Sequence, residues 1–492
     1  MAIPLAIVSS LVGCSSNTPN SSATPPAVPG GKPLAGVRLV VACPEPVLAG
    51  RLSQQAKAWA GRYGAAVQVT TKPWGESPEA DIVVLPPAEL GGASAELATL
   101  PVAFKANEHQ LSRGRIAESY RDTLTTWGGE VQGLPLTADG FVLIFRADRF
   151  AAEPHRGDFP NKYGRPLAAP RTWEDIADIA AYFHAADGKP SLPPLPAAEP
   201  LLTQFQQLAV CYDRKAEGDT EGGQGGRAEA TLGLHYDPGT GAARFARPSF
   251  VAAAKWFADT QKFRATPKPG ESDDPVAALD TGTAVMAVLS LLDVNRLPRD
   301  PVTGAIPGKF GVTALPGTRG YFDADGQPRA AAGDGNYVPF LGTHTLIGAV
   351  RKRCQNPQVA WDFLADLARP TGSSATLSDP ATGSGPFRRE HVDEANDPLW
   401  LGYKFDTAGS RDLAQALRKS LALNVANPTT ALRLPDHAAR LGALEVTVRA
   451  VATGKLPPAA GMAQATEAWR QLDAKAAPES LPRQRRNALG LP

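Results

Sequence analysis

Four side chains combine a chemistry-bearing type with a suggestive position. Glu45 and Glu89 follow the short apolar runs Val37–Ala42 and Ile82–Leu85, and acids past the ends of buried parallel strands face the edge where α/β sheets present ligands. The same positions suit an acid stabilised by the dipole of a following helix. Trp74, in Lys72-Pro73-Trp74-Gly75, and Trp127, before Gly128-Gly129, offer flat faces that stack on a sugar ring or fill a core with equal ease. The chemistry open to such a set is hydrogen bonding and stacking, which is recognition rather than bond-making. Signatures of covalent catalysis are missing, since the chain has no GxSxG elbow, no GxGxxG turn and no phosphate-cradling P-loop. None of the seven histidines lies within a few residues of another, and no CxxC or HExxH is present, so no local metal-ligand pair exists and no metal or cofactor is expected.

The elements that must position these residues come from a chain of 492 residues, 43% apolar and 20% charged. That composition excludes a disordered or fibrous protein and supports two cores more readily than one. Lys and Arg number 50 against 49 Asp and Glu, so no net field draws the chain to nucleic acid or to an anionic membrane surface. From Gly36 onward strand and helix patterns alternate. Val37–Ala42, Val67–Thr70, Ile82–Leu85 and Gly140–Phe145 read as strands, as do Thr283–Leu289, Lys309–Ala314 and Thr345–Val350. Val47–Tyr63 repeats apolar residues at helical spacing and closes on Gly64; Ser112–Trp127 also reads as helix. Thr172 with Asp175 forms a capping-box pattern for Trp173–Ala186, and Asn356-Pro357 opens Gln358–Ala368. This rhythm predicts α/β layering with crossover connections. Gly188–Pro200 and Glu217–Gly226 read as loops, and the polar, basic tail after Pro478 is expected to fray.

The first residues read as an address. Ala2–Val12 is an uncharged apolar run too short to span a bilayer, which takes roughly 20 residues. It ends at Leu11-Val12-Gly13-Cys14, which resembles a bacterial lipobox and so implies cleavage before Cys14 and a lipid on its sulfur. Residues 15–35 are rich in Pro, Ser, Thr and Gly and form an extended, hydrated tether. With Cys14 set aside, Cys43, Cys211 and Cys354 remain, an odd number expected to stay as buried free thiols.

Several segments, taken in order, resemble the family 1 extracellular solute-binding proteins, the maltose-binding-like receptors of ABC importers. They are Gly133-Leu134-Pro135-Leu136-Thr137-Ala138-Asp139-Gly140, Leu143–Phe150, Pro170-Arg171-Thr172-Trp173-Glu174-Asp175, Gly282–Met286, Phe310–Gly317, Pro339–Ile347, Asn356–Leu364 and Ala452–Pro457. The resemblance spans about residues 36–475 and implies a type II periplasmic-binding-protein-like α/β fold, in which ligand sits in a cleft between two lobes and hinged strands cross between them. Projected onto this chain, 1–14 is the signal peptide with its lipidated Cys14, 15–35 the tether and 36–138 lobe one. Residues 139–313 become lobe two, 314–386 a return to lobe one, 387–475 a return to lobe two and 476–492 a tail.

The resemblance also implies site residues. Asp139 falls at the lobe crossover, where such receptors carry a carboxylate that accepts hydrogen bonds from sugar hydroxyls. Tyr337, Thr343 and His344 flank a strand end of projected lobe one and join Glu45, Glu89, Trp74 and Trp127 as candidate ligand contacts. Two positions where sugar-binding members place aromatics hold Gly342-Thr343-His344 and Ser290-Leu291-Leu292 instead. The expected function is a monomeric, lipid-anchored receptor on the periplasmic side of the cell envelope. It captures a small polar ligand, with a carbohydrate the leading class, and hands it to an ABC permease in the inner membrane. A secreted α/β hydrolase and an envelope lipoprotein that kept the fold without transport are the alternatives.

Overall fold

The computed structural model describes residues 32–492 apart from 107, 217–232, 238, 267–272, 422–428 and 478. The signal peptide, Cys14 and most of the tether lie outside the described residues, as does the Glu217–Gly226 loop. The protein is a two-lobed α/β structure built on two sheets.

The first sheet begins with β1 (Arg38–Ala42), β2 (Ala66–Thr70) and β3 (Ile82–Leu85). Its strands run in the order β2-β1-β3 and lie parallel, with Val41 opposite Ile82. All four residues of β3 are buried, as a two-sided strand in such a layer requires. The helix Pro46–Tyr63 follows β1. Its start is fixed by Pro46 at the first helical position and by the Glu45 carboxylate, which accepts from Leu48 N at 2.9 Å. A hairpin of β4 (Thr126–Trp127) and β5 (Glu130–Val131) leads to β6 (Leu134–Pro135), which closes the far edge of this sheet. Where the sequence pattern predicts a helix over Ser112–Trp127, the chain instead makes a 3-10 turn at Arg113–Arg115 and a π turn at Ser119–Thr123 before entering β4. Tyr120 and Leu124 are still buried there, so the apolar spacing reported burial correctly and the backbone form incorrectly.

The second sheet is antiparallel, in the order β8-β7-β9, from β7 (Phe141–Arg146), β8 (Met286–Ser290) and β9 (Phe310–Thr313). One face packs on the helices Trp173–Asp187, Ala198–Asp213 and Pro248–Thr260 around Trp173, Phe183, Phe205 and Phe257. Thr172 and Asp175 make the reciprocal capping box that their spacing predicts. Asn356 takes the cap position of Pro357–Ala368 without a side-chain hydrogen bond, leaving Pro357 to define that start.

Two passages between the sheets meet at one place, and a third segment touches them there. The first passage, Leu136–Gly140, joins β6 to β7. The stretch after β9 does not return to the first lobe at Ala314–Pro316. Trp173 N donates to Gly317 O at 2.8 Å, Thr318 Oγ1 to Cys211 O at 2.9 Å, and Arg319 pairs with Asp175 and Asp178. Those ties hold the hairpin of β10 (Gly320–Phe322) and β11 (Pro328–Ala330) on the second lobe. The return comes later, through Gly342–Leu346, between β12 (Phe340–Leu341) and β13 (Ile347–Val350), which inserts antiparallel between β3 and β6. A third segment, Ser384–Gly385, touches this place, where Gly385 N donates to Ala138 O at 2.9 Å; the chain then stays on the first lobe, with Phe387 O accepting from Ala117 N and Arg388 donating to Leu111 O and Ala368 O. A Cβ on Gly385 would lie 1.9 Å from Asp139 O, so only glycine lets these two segments touch. Beyond it, Thr407–Leu421 packs on β7 and β9. The last strand, β14 (Thr429–Thr430), pairs with β12.

The C-terminal residues do not fray. Leu481–Ala488 forms a helix, and the buried Arg433 guanidinium donates to the carbonyls of Ala488, Thr123 and Thr126. Cys43, Cys211 and Cys354 are buried free thiols, and burial pushes each up to about 12.

Candidate functional site

At the meeting of the passages Asp139 is buried, and its carboxylate gathers six donors from the protein itself. Oδ1 accepts from Thr343 N at 2.9 Å, Thr343 Oγ1 at 2.8 Å and His344 N at 2.8 Å. Oδ2 accepts from Gly342 N at 2.6 Å, Thr345 Oγ1 at 2.9 Å and Tyr120 OH at 3.1 Å. A carboxylate offers about four lone-pair directions, so the protein already fills this one. Burial first, and the Asp139 charge second, hold the Tyr120 hydroxyl well above its ordinary pKa, so it stays a donor. Sequence reasoning expects Asp139 to take ligand hydroxyls, whereas the geometry gives it the loop 342–345 to hold. Gly342 has φ +95°, which lets three successive backbone N–H groups turn toward one carboxylate.

That loop delivers His344. Its imidazole stacks on Phe141, centroids 4.7 Å apart and planes at 26°, and its Nε2 lies 3.8 Å from Glu199 Oε1 at the start of Ala198–Asp213. His344 thus reaches from the first lobe's return loop to the second lobe. It lines a cavity of about 330 Å³ whose other walls belong to the second sheet and its helices. The floor is the face of β7 and β8 that carries Phe141, Leu143, Met286 and Val288. Trp173 and Trp256, in T-shaped contact at 5.0 Å, form one wall, and the Pro-rich turn Leu192–Pro200 forms another. The polar groups are few: Gln204, Arg264, Asp273, Asp274, Ser290, Asp293 and Arg296 besides His344. Arg296 pairs with Asp274 and, at 3.1 Å, with Asp293. Asp293 also caps its own helix through Ser290. An apolar, partly aromatic concavity with a few fixed polar groups is the usual form of a small-molecule site.

The other predicted residues lie elsewhere. Glu45 is exposed and serves as the helix cap described above. Glu89 Oε2 accepts from Trp74 Nε1 at 2.6 Å, and the Arg351 guanidinium sits 5.9 Å from the Trp74 ring, so these form a local cluster. Trp127 is half-buried and covers Gly91, where a Cβ would come within 2.8 Å of its ring. Tyr337 is buried beside Asp139 on a crevice of about 10 Å³, too small for more than a water. Of the eight ligand candidates, the structure brings Asp139, Tyr337, Thr343 and His344 together, and His344 alone lines the cavity.

Phe141, Trp173, Trp256, Arg264 and Arg296 were not singled out from the sequence. Trp173 and Trp256 sit on amphipathic helices where a core role suits them equally, and nothing local marks Arg264. Among the described residues no group of three or more His, Cys, Asp or Glu is arranged to hold a metal. No described helix is long and apolar enough to cross a membrane.

No protein-family model and no curated protein matches the chain. Solved structures do. The chain is similar to the maltose-bound MalE3 of T. maritima, at TM-score 0.60 and 16% identity, over 89% of this chain and 100% of that one. A solute-binding protein of an ABC transporter from Agrobacterium radiobacter K84, in complex with ribitol, aligns at TM-score 0.58 and 17% identity over 89% and 99%. The cyclic α-maltosyl-1,6-maltose binding protein of Arthrobacter globiformis aligns at TM-score 0.63 and 14% identity over 89% and 98%. The fold is therefore that of the two-lobed MalE-type binding proteins. Its solved neighbours are binding proteins for sugars and a polyol.

Proposed function

We propose that this chain is the solute-binding receptor of an ABC importer and captures a small sugar or polyol-like ligand in the cavity between Phe141, Trp173, Trp256 and His344. The observation that carries the reading is the origin of the walls: one lobe supplies nearly all of them, and the other supplies His344 on a loop clamped at the crossover. A ligand that touches both lobes stabilises their closed arrangement by its differential affinity, and a permease can read that arrangement. At about 330 Å³ the cavity lies at the small end of ligand sites, which favours one or two sugar rings over a long oligosaccharide. The aromatics absent from Thr343-His344 and from Ser290-Leu292 have substitutes in Phe141, Trp173 and Trp256. We further propose that Cys14 carries the lipid anchor, that 15–35 is its tether on the periplasmic side, and that the receptor performs no covalent chemistry.

Calorimetry against a panel of mono- and disaccharides and polyols, run beside a product assay, tests this reading. Saturable heat without product, together with a smaller radius of gyration in solution scattering when ligand is bound, is the expected result. Product formation would replace the receptor by a hydrolase. Failure of every panel member to bind would remove the sugar-receptor reading.

A further inference from the structure

The cavity wall holds buried donors with nothing to donate to. Arg264 is 6% exposed and lines the cavity, yet no carboxylate pairs with it among the described residues. Its guanidinium makes one long contact, Nη1 to Pro193 O at 3.4 Å, and its buried Nε has no partner. It lies 5.9 Å from the Trp256 ring and 5.6 Å from Phe257, contacts that weakly offset the desolvation of a cation. Trp173, on the same wall and 1% exposed, has its indole Nε1–H buried and without an acceptor. The other cation of the cavity, Arg296, is neutralised by Asp274 and Asp293, and Asp273 is exposed. Among the described residues the Trp173–Trp256–Arg264 end thus carries an unneutralised positive charge, while acids stand around Arg296.

We infer that the ligand is an acidic sugar whose carboxylate is received at Arg264. An ionised carboxylate is acceptor-only and planar, which matches a guanidinium fork, whereas a hydroxyl needs an acceptor for its own proton. The hydroxyls of the sugar then fall toward the carboxylates near Arg296 and toward His344. Burial alone draws the Arg264 guanidinium down to about 10, still charged at neutral pH. This assignment rests on the cavity being the solute site.

The test pairs each acidic sugar with its neutral parent, D-glucuronate with D-glucose and D-galacturonate with D-galactose, on the full chain by calorimetry. At least one acid binds tenfold or more tighter than its parent. Arg264→Leu erases that gap, a loss of about ten- to a hundredfold for the acid against a smaller loss for the parent. Arg264→Lys, which keeps the charge without the fork, retains part of the preference. In the absence of ligand Arg264→Leu melts at or above the wild-type temperature, because it removes an uncompensated buried charge. Equal or tighter binding of the neutral parents, an equal loss for acid and parent, or a lower melting temperature of the unliganded variant would each overturn the inference and leave the receptor reading standing. If no sugar of either kind binds, both fall together.

Discussion

Asp139→Asn is the sharpest perturbation available at the crossover. The substitution keeps volume, removes the charge and turns one acceptor oxygen into a donor NH₂. If that NH₂ takes the place of Oδ1, it confronts the N–H groups of Thr343 and His344. Placed at Oδ2 it confronts only Gly342 N–H, because the hydroxyls of Tyr120 and Thr345 can rotate to accept. The second orientation is the better one, and it strands one buried backbone N–H at a cost of about 1–3 kcal/mol. The surviving hydrogen bonds lose their charge assistance, roughly another 1 kcal/mol or more in total, partly offset because a neutral amide is easier to bury. A net loss of about 3 kcal/mol lowers the melting temperature by some 3 °C in a chain of this size.

The decisive assay measures two quantities on the same samples, the unliganded melt and the affinity for whichever ligand the panel identifies. Both fall for Asp139→Asn, since a loosened 342–345 loop no longer presents His344 in one place. Thr343→Ala removes one hydroxyl donor and leaves the three backbone donors, so its melt drops by less, about 1 kcal/mol in stability. An Asp139→Asn variant with an unchanged unliganded melt and weakened binding would refute the clamp and return this carboxylate to direct ligand contact.

Gly385→Ala places a methyl 1.9 Å from Asp139 O; the segments must part, stability falls by about 1–3 kcal/mol or more, and scattering reports a changed lobe arrangement without ligand. His391 is buried and bonded to Ser373 Oγ at 2.9 Å, and burial, then Arg388, lowers its pKa to about 3. Because the unfolded chain takes up that proton near pH 6.5 and the folded one does not, the contribution of His391 is full above about pH 6.5 and declines by up to about 1.4 kcal/mol per pH unit as pH falls toward 3. Melting curves from pH 7 to 4 should therefore slope less steeply in His391→Gln. Cys14→Ser should release the protein from the membrane fraction, and identical fractionation of variant and wild type would end the lipid-anchor proposal.

Much of the scaffold was legible because it rests on local rules. The run Ile82–Leu85 is apolar throughout and is a fully buried strand, and the Thr172–Asp175 spacing is a capping box in fact. The first crossover was placed through the family resemblance; the stretch expected to make the second, Ala314–Pro316, stays on the second lobe, and the return runs through Gly342–Leu346. Leu315-Pro316-Gly317 has the turn chemistry of a crossing, but Trp173 N–H and Thr172 hold it to the second lobe, and such a tie depends on residues some 140 positions away in sequence. Glu45 and Glu89 show the opposite case. Both follow strands as expected; Glu45 takes the helix-terminus alternative, while Glu89 accepts from the Trp74 indole, a partner the local pattern does not mark. The cavity was the least legible part. It is assembled from β7, β8, five helices, a proline turn and a loop from the other lobe, and no single stretch carries its signature.

The clamp and the cavity divide two tasks that a receptor must keep apart. The two passages and the Ser384–Gly385 segment meet within hydrogen-bond reach of Ala138 and Asp139, and Arg433 ties the lobes a second time through the carbonyls of Thr123 and Thr126. His344 is tied to the crossover through its own backbone N–H, and it is the first-lobe side chain through which the cavity senses how the lobes are arranged. Trp173, Trp256 and Arg264 belong to one lobe and keep their mutual geometry. The second-lobe part of recognition is then preformed, and under the proposed reading the contact with His344 links affinity to closure, through the fraction of molecules in the competent arrangement. A change at Arg264 should consequently alter which ligand binds without altering the shape of the unliganded protein. A change at Gly385 should scale all affinities together, because it acts on the one equilibrium that every ligand shares.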